Sequence, residues 1–472
     1  MKRFALVQLM LFYLLMGHPL MAAEIPVNAG ESVQATIDSA NDGDTVRVVA
    51  GTYDGNIRIQ DKSIQLLGDS AETTHLRGDG TDSVVTLINA GTSKVDGFRI
   101  SNGTRSTYEQ YYNRGGGIYC NSGSPTISNN IIEENDSRQD NGNENQGGGI
   151  FSEDANVTIS DNIVQNNHSG LGAGICAGGG TIIVTGNTIQ GNTCHSDHGG
   201  GLAVSGPDAV ISHNQILNNV VAHPDDYGWG GGVIVFGSNS TNAMLSYNVI
   251  SGNSAPSLGG GVFIDDGAEA TLDHELIYGN TGVEGGGGVY VDGIDQTGSN
   301  VTVTHCTIAD NTGGSRGGNG VTVEGHSQVA ITNSIFWGNS DGEDFTVDAT
   351  SAITVTYSLS EETISGTGNK SSDPLFVNAA SADYQLSSSS PAIDTGDPAS
   401  DYATEPDPDG ERVNMGRYGN TTEAASRMLL EYAISILKLL TGTNAASVVS
   451  DMNNDGRIGL AEVVYVLQQL AR

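Results

Sequence analysis

The stretch GGGVIVFGSNSTNAMLSYNVISGN, residues 230–253, contains the two signatures that decide the fold. The first is a glycine triplet followed by a β-branched residue. The second is an apolar residue, here Leu245, with a second apolar residue five positions later and an asparagine three positions after that, here Asn253. Both signatures recur along the chain at a nearly constant spacing, which indicates a solenoid of stacked coils.

The triplet signature occurs eight times, with successive starts 32, 25, 27, 31, 29, 27 and 32 residues apart. Its copies begin at Gly115, Gly147, Gly172 (as GAGI), Gly199, Gly230, Gly259, Gly286 and, in a weaker form, Gly318. The asparagine signature recurs in phase and ends at Asn135, Asn167, Asn192, Asn219, Asn253, Asn280, Asn311 and Asn339.

Short alternating apolar segments around each signature predict strands, and the glycines and asparagines that interrupt them predict turns. In stacked parallel coils, the inward Ile, Val and Leu residues form one continuous core. A triplet lets the backbone turn where a side chain would collide with the next coil, and aligned asparagines can hydrogen-bond along the stack. The sequence therefore predicts an all-β chain with an elongated surface.

The segment VQATIDSANDGDTVRVVAGT, residues 33–52, the triplets and the N-x-I-x-x-N segments resemble right-handed parallel β-helix proteins of the pectate-lyase-like superfamily. They are especially similar to the repeats of polymorphic outer-membrane proteins, whose motifs are GGAI-like and FxxN-like. The resemblance covers about residues 31–419. It implies a right-handed parallel β-helix (solenoid), a fold that hosts lyases, hydrolases, epimerases, adhesins and inert scaffolds.

Five segments are predicted along the chain. Residues 1–23 have a basic start, an apolar run and small residues at the end, which predicts a secretory signal peptide too short to span a membrane. An uncleaved anchor is the alternative. Residues 24–97 are predicted to form the N-terminal cap and first coils, with a helix from Ser32 to Ala40. The β-helix coils follow in 98–345, the last coils and a closing tail in 346–419, and a small helical module in 420–472.

The module at the C-terminus contains a calcium-loop pattern. Asp451, Asn453, Asp455, Gly456, the carbonyl of Arg457 and Glu462 match D-x-N-x-D-G-x5-E, which supplies the oxygen ligands that Ca²⁺ prefers. The helix, loop and helix resemble a dockerin, which implies a cohesin-like protein partner. Dockerins contain two such loops, however, and the sequence between Asn420 and Ser450 shows no second one. An Asx-rich turn is the alternative interpretation.

The charge distribution restricts the partners. The chain has a formal net charge of −36, and no Lys or Arg occurs from Gln139 to Ser315. Such a surface repels nucleic acid, and it repels acidic glycans unless cations intervene. The spacing of Cys120, Cys176, Cys194 and Cys306 matches no disulfide framework. We interpret Cys120 and Cys176 as buried thiols and place Cys194 in a loop.

Loops of variable length precede the triplets and should project from one edge of the solenoid. Three of them are long and contain reactive aromatic or charged side chains, and the neighbouring coil adds two histidines. Aromatic rings and polar groups on a long edge suit sugar rings, so Tyr108, Arg114, Tyr227 and Trp229 are the candidate binding residues. The candidate catalytic residues are Tyr111, Tyr112, His195, His198, His223, Asp225 and Asp226. Asp197 could complete a metal site with His195 and His198.

Two functions from different classes remain open. The first is a secreted or cell-surface protein that binds an extended polysaccharide or another surface partner. The second is a polysaccharide lyase, glycoside hydrolase or epimerase that acts in the loops of the N-terminal half. The central coils lack the basic residue of a lyase, and of the paired acids typical of hydrolases only Asp225–Asp226 and Asp265–Asp266 are present. Packing of the candidate residues into one groove would favour the enzyme.

Overall fold

The computed structural model describes residues 22–106, 113–138, 145–223, 227–237, 241–294, 297–314, 316, 318–339, 344–407, 409–426, 437, 460, 461 and 463–465. Over residues 24–360, short parallel strands stack into three long sheets, and each coil contributes one strand to each sheet in turn. In the described chain these sheets have 11, 13 and 12 strands. At about 4.8 Å per coil, the longest sheet runs for about 58 Å.

Sheet 1 follows the glycine triplets and consists of Ile57–Gln60, Val85–Ile88, Ile118–Asn121, Ile150–Glu153, Ile175–Gly178, Leu202–Ser205, Val233–Val235, Val262–Ile264, Val289–Val291, Val321–Val323 and Phe345–Val347. Sheet 2 consists of Glu24–Val27, Thr45–Val48, Gln65–Gly68, Lys94–Asp96, Thr126–Ser128, Val157–Ser160, Thr181–Thr185, Asp208–Ser212, Asn242–Ser246, Glu269–Asp273, Asn300–Thr304, Gln328–Thr332 and Ala352–Thr356. Sheet 3 consists of Gly51–Asp54, Thr74–Arg77, Arg99–Ser101, Ile131–Glu133, Ile163–Gln165, Thr188–Gln190, Gln215–Leu217, Val249–Ser251, Leu276–Tyr278, Thr307–Ala309, Ile335–Trp337 and Leu359–Ser360.

Shorter elements complete the coils and the tail. Sheet 4 lies between sheet 3 and the next triplet and consists of His168–Ser169, Thr193–Cys194, Val220–Val221, Ser254–Ala255, Thr281–Gly282 and Thr312–Gly313. Asn113–Arg114 pairs with Asn145–Gln146 in parallel, and Phe376–Asn378 pairs with Asp383–Leu386 antiparallel around the 3-10 helix Ala379–Ser381.

One continuous apolar core fills the solenoid from Val27 to Val355. Alternate residues of each strand point inward, so Val233 and Val235 are buried in this core while Ile234 lies on the outer face of sheet 1. Because each coil packs only on its neighbours, the core stabilises the chain as a series of coil-to-coil interfaces.

Two asparagine ladders run along the core. The predicted one lies between sheets 3 and 4, where Asn219 donates its backbone and side-chain N–H groups to Oδ1 of Asn253 in the next coil. The second lies between sheets 2 and 3, where Asn214 bonds Asn248 in the same way. The backbone in the left-handed region is that of the preceding residue, such as Asn218 or His213, and not that of the ladder asparagine. These ladders satisfy the buried polar groups of the turns.

The triplets turn the backbone as predicted. Gly230 has φ of 65°, a conformation that L side chains rarely adopt. A Cβ on Gly231 would lie 2.6 Å from the carbonyl oxygen of Gly260, and one on Gly232 would lie 2.6 Å from that of Gly261. The next coil therefore excludes a side chain at these positions.

The two ends of the core are covered differently. At the N-terminal end, the α-helix Val33–Ser39 buries Val33 and Ile37, and the hydroxyl of Ser32 caps it by accepting from the N–H of Ala35. At the other end, Ile364 packs against the core. We expected the tail to close this end, but it lies along the side of the coils, where Tyr384 donates to Asp310 and Arg417 donates to the carbonyl oxygen of Asn248.

The C-terminal module is described at few positions. Residues 437, 460, 461 and 463–465 have helical backbone, whereas Asp451, Asn453, Asp455, Arg457 and Glu462 lie outside the described residues, as do residues 1–21. The calcium loop and the signal peptide therefore stay predictions. No described helix has the length and hydropathy required to cross a bilayer.

Candidate functional site

A column of stacked rings lies on the outer face of sheet 1. His198 and Trp229 come directly before glycine triplets, whereas Phe263 and Tyr290 are the outward residues of successive strands of sheet 1. The ring centroids of His198 and Trp229 are 4.2 Å apart, those of Trp229 and Phe263 5.1 Å, and those of Phe263 and Tyr290 5.3 Å, all nearly parallel. We call these four residues the ring column. It brings together residues that lie far apart in the sequence.

Trp229 is held on both faces by the ring column. His198 covers one face of the indole and Phe263 covers the other, so only the edge of the indole is left uncovered. The sequence suggested Trp229 as a platform for a sugar ring, but its faces are already occupied. Tyr227 is more accessible, because the residue is 47% exposed, and its ring lies 5.2 Å from that of Trp229.

The hydrogen bonds of His198 fix its tautomer. Its Nδ1 accepts from the backbone N–H of Trp229 at 3.2 Å, and its Nε2 lies 2.7 Å from Oδ1 of Asp197. The proton of the neutral ring is therefore on Nε2 and is donated to the Asp197 carboxylate. His198 both stacks on Trp229 and orients an acidic side chain.

A groove of about 480 Å³ opens beside the ring column. Its apolar lining comprises Leu171, Trp229, Ile234, Phe236 and Ile294. Its acidic lining comprises Asp197, Asp265, Asp266 and Asp292, and Gln146 and His198 complete the polar wall. The residues that line the groove come from six successive coils, which at about 4.8 Å each span about 24 Å.

The acidic residues of the groove have perturbed pKa values. Burial raises the pKa of Asp265 to about 6; the N–H of Asp266, which Asp265 accepts, opposes this, and the carboxylates of Asp266 and Asp292 add to it. Burial also raises the pKa of Asp292, which accepts from the N–H of Gly293. Among the described residues, no Lys or Arg forms an ion pair with either carboxylate. Both side chains retain acceptor capacity for a ligand.

The structure separates the remaining candidates into different places. His223 packs edge-on against Tyr227 with ring centroids 5.8 Å apart, next to the groove. His195 lies apart from His198, because its Nε2 is 3.2 Å from Nδ1 of His168. A metal site formed by His195, His198 and Asp197 is therefore not brought together. Arg114 pairs with Glu153 at 2.7 Å and stacks over Phe151.

Five candidate residues lie outside the described part of the chain: Tyr108, Tyr111, Tyr112, Asp225 and Asp226. Their roles in binding or catalysis stay predictions. Asp292, by contrast, was not among the candidates. Aligning the triplets would have found it, because Asp265, Asp292, Glu324 and Asp348 each directly follow a strand of sheet 1 at the same position of the coil.

The four cysteines are free and buried. Cys194 was expected in a loop, but its thiol is buried between Ala173 and Val221 and donates to the carbonyl oxygen of Gly170. Burial raises its pKa to about 12, so the thiol stays protonated and inert at neutral pH.

One cluster among the described residues has donor atoms close enough to hold a metal ion: Asp273, His274 and His305. The hydrogen bond of His305 opposes this use. Nε2 of His305 accepts from the side-chain amide of Asn333 at 3.1 Å, which leaves the proton on the Nδ1 that faces Asp273. Nε2 of His274 bonds the carbonyl oxygen of Gly419, so only its Nδ1 faces Asp273. The cluster is better understood as part of the junction between the coils and the tail.

The comparisons with known proteins concern the fold. The model of the family described as "Right handed beta helix region" matches residues 171–293 and 259–369. The structure titled "Crystal structure of pectate lyase Pel9A" is similar, with 14% sequence identity, a TM-score of 0.43 and coverage of 84% of this chain and 97% of that chain. No curated protein matches the chain. The family match confirms the prediction of a right-handed parallel β-helix.

Proposed function

We propose that this β-helix protein binds a polysaccharide segment in the groove beside the ring column. The observation that supports this most is the combination, along one elongated cavity, of apolar side chains and carboxylates that no described Lys or Arg pairs with. Carboxylates accept hydrogen bonds from sugar hydroxyl groups, and apolar surfaces cover the C–H faces of sugar rings. A length of about 24 Å suits several linked sugars better than a single ring.

Tyr227 is the platform that this proposal assigns to a sugar ring. Its exposed ring stands beside Trp229 and His223, which restrict its orientation before any ligand arrives. A side chain held in its binding conformation loses less conformational entropy on binding, which favours affinity. Trp229 supports the wall of the groove and contributes its edge.

The experiment is titration calorimetry of the full-length chain with a panel of neutral, cationic and anionic oligosaccharides. Tyr227→Ala should weaken the best ligand about tenfold, because stacking on an aromatic ring contributes about 1 to 1.5 kcal/mol. Tyr402→Ala in the tail is the matched control and should leave affinity unchanged. If no member of the panel binds, the proposal is wrong.

A second candidate function is hydrolysis of the bound glycan. Asp265 and Asp292 lie in adjacent coils of the same groove, and Asp265 has a pKa of about 6, which suits a general acid near neutral pH. Release of reducing ends that is lost in both Asp265→Asn and Asp292→Asn would establish an enzyme. Products that absorb in the ultraviolet would instead indicate a lyase.

Two further proposals rest on the sequence. The N-terminal pattern of residues 1–23 supports secretion to the extracellular space or the cell surface. The pattern from Asp451 to Glu462 supports a Ca²⁺-binding module that attaches the protein to a surface or to a cohesin-like partner. N-terminal sequencing of the exported protein tests the first proposal, and a pull-down with and without Ca²⁺ tests the second.

A further inference from the structure

We infer that the groove selects glycans with protonated amino groups over neutral and acidic ones. This inference rests on the proposed function, because it concerns the charge of the ligand in the same cavity. The groove offers two properties together: an elongated shape with an exposed aromatic ring at its side, and a wall of carboxylates that form no ion pair with a Lys or Arg among the described residues. A polymer of linked amino sugars matches both.

The acidic wall has no basic counterpart of its own. Asp197, Asp265, Asp266 and Asp292 line the groove, and the segment from Gln139 to Ser315 contains no Lys or Arg. The proton of His198 is already donated to Asp197. An ammonium group on a sugar would therefore supply the positive charge that the protein omits.

The described arginines nearest the groove, Arg114 and Arg316, do not line it, and each has an acidic neighbour outside it. Arg114 pairs with Glu153 at 2.7 Å and also bonds Gln146. Arg316 lies 3.9 Å from Glu324 in the coil after Asp292. Each arginine thus has its own acidic neighbour, and the middle of the groove keeps a net negative charge.

Crowding of like charges supports the same conclusion. Burial is the largest cause that raises the pKa of Asp265, and the carboxylates of Asp266 and Asp292 add to it, against the N–H of Asp266 and the His198 ring. Burial also raises the pKa of Asp292 most, and Glu324 and Asp348 add to it, whereas the N–H of Gly293 and Arg316 oppose it. A cation that enters the groove relieves this repulsion, whereas a uronate increases it. Asp265 and Asp292 should therefore lose protons when an amino sugar binds.

The test is calorimetric titration of the full-length chain with three tetrasaccharides of similar size. These are a β-1,4-linked glucosamine tetramer, its N-acetylated form and an oligogalacturonate. We expect the amine to bind about tenfold more tightly than the acetylated form, because ammonium contacts with carboxylates in a half-buried groove are charge-assisted hydrogen bonds. At an ionic strength of about 0.5 M this preference should shrink, since the charges are then screened.

Isosteric variants locate the effect. Asp265→Asn and Asp292→Asn keep the oxygen that accepts the backbone N–H, so the turns should fold, and each should reduce the amine preference at least threefold. Asp208→Asn, at an exposed position of sheet 2, is the control and should leave the preference intact. Unchanged melting temperatures would show that the variants are folded.

The other outcomes are distinct. Equal binding of the amine and its acetylated form would overturn the charge selection and leave the proposed glycan site standing. Tighter binding of the oligogalacturonate, or an amine preference that survives both Asn variants, would also overturn it. Binding of none of the three, nor of any glycan in the wider panel, would remove the proposed function itself.

Discussion

Replacing Glu275 with glutamine should stabilise the protein above neutral pH. Glu275 occupies a position in the second asparagine ladder where the preceding coils have Asn, and it is fully buried. Its Oε1 accepts from the side-chain N–H of Asn248 at 2.8 Å and from the backbone N–H of the same residue at 3.2 Å. Its Oε2 is buried without a hydrogen-bond partner in the described structure.

The magnitude follows from the protonation of this carboxyl group. Burial raises the pKa of Glu275 from an ordinary value of 4.5 to about 7, although the Asn248 N–H groups and Arg417 oppose the shift. A shift of this size corresponds to about 3 kcal/mol in the free energy of unfolding. The folded chain binds the proton more tightly than the unfolded chain, so the contribution is fully present below pH 4.5. It is lost as the pH rises through about 7.

Glutamine does not ionise, so the variant does not lose this stability as the pH rises. We expect Glu275→Gln to be more stable than the wild type by about 2 to 3 kcal/mol above pH 8, and the difference should shrink toward pH 4. The assay is urea denaturation across this pH range, with the two midpoints compared at each pH. Glu269→Gln, at an exposed position of the preceding strand, is the control and should show no such trend. A stability difference that does not depend on pH would mean that ionisation of Glu275 is not its cause.

Three further changes test other parts of the structure. Asn219→Ala removes the Oδ1 that accepts two N–H groups of the preceding coil. It should lower the free energy of unfolding, measured by urea denaturation, by about 3 kcal/mol. The control is Gln215→Ala at an exposed position, which should change this free energy by less than about 0.5 kcal/mol. Arg417→Met removes hydrogen bonds to three carbonyl oxygens of the coils, so limited proteolysis should cleave the tail several-fold faster. An unchanged rate would mean that Arg417 does not hold the tail against the coils. Glu462→Gln should weaken Ca²⁺ binding at least tenfold in calorimetry, and unchanged affinity would mean that the loop is not a calcium site.

Sequence repeats predicted the architecture because the rules that produce coils are local. A triplet such as Gly230–Gly232 is required wherever the backbone turns against the next coil, and an asparagine such as Asn253 is required wherever a buried turn needs a partner. The second ladder could also have been predicted, since Asn214 and Asn248 recur in phase with the first. Its repeat is less regular, because Glu275 and Cys306 replace asparagine in later coils.

The candidate site was harder to predict because neighbouring residues of a turn point in different directions. His195 and His198 are three residues apart, yet one meets His168 and the other stacks on Trp229. Nothing in the sequence says that both faces of Trp229 are covered, since Phe263 lies in the next coil. Asp292 differs in this respect, because its position directly after a strand of sheet 1 follows from alignment of the triplets.

Stacked coils with an apolar core follow from the sequence, because strand alternation and turn chemistry act over a few residues. Which side chains share a groove follows from the packing of one coil on the next. The variable loops make the triplet spacing range from 25 to 32 residues, so distance along the chain does not give the position of a side chain across the coils. Backbone hydrogen bonds hold neighbouring coils about 4.8 Å apart, and this stacking places Asp265, Asp292 and Trp229 together.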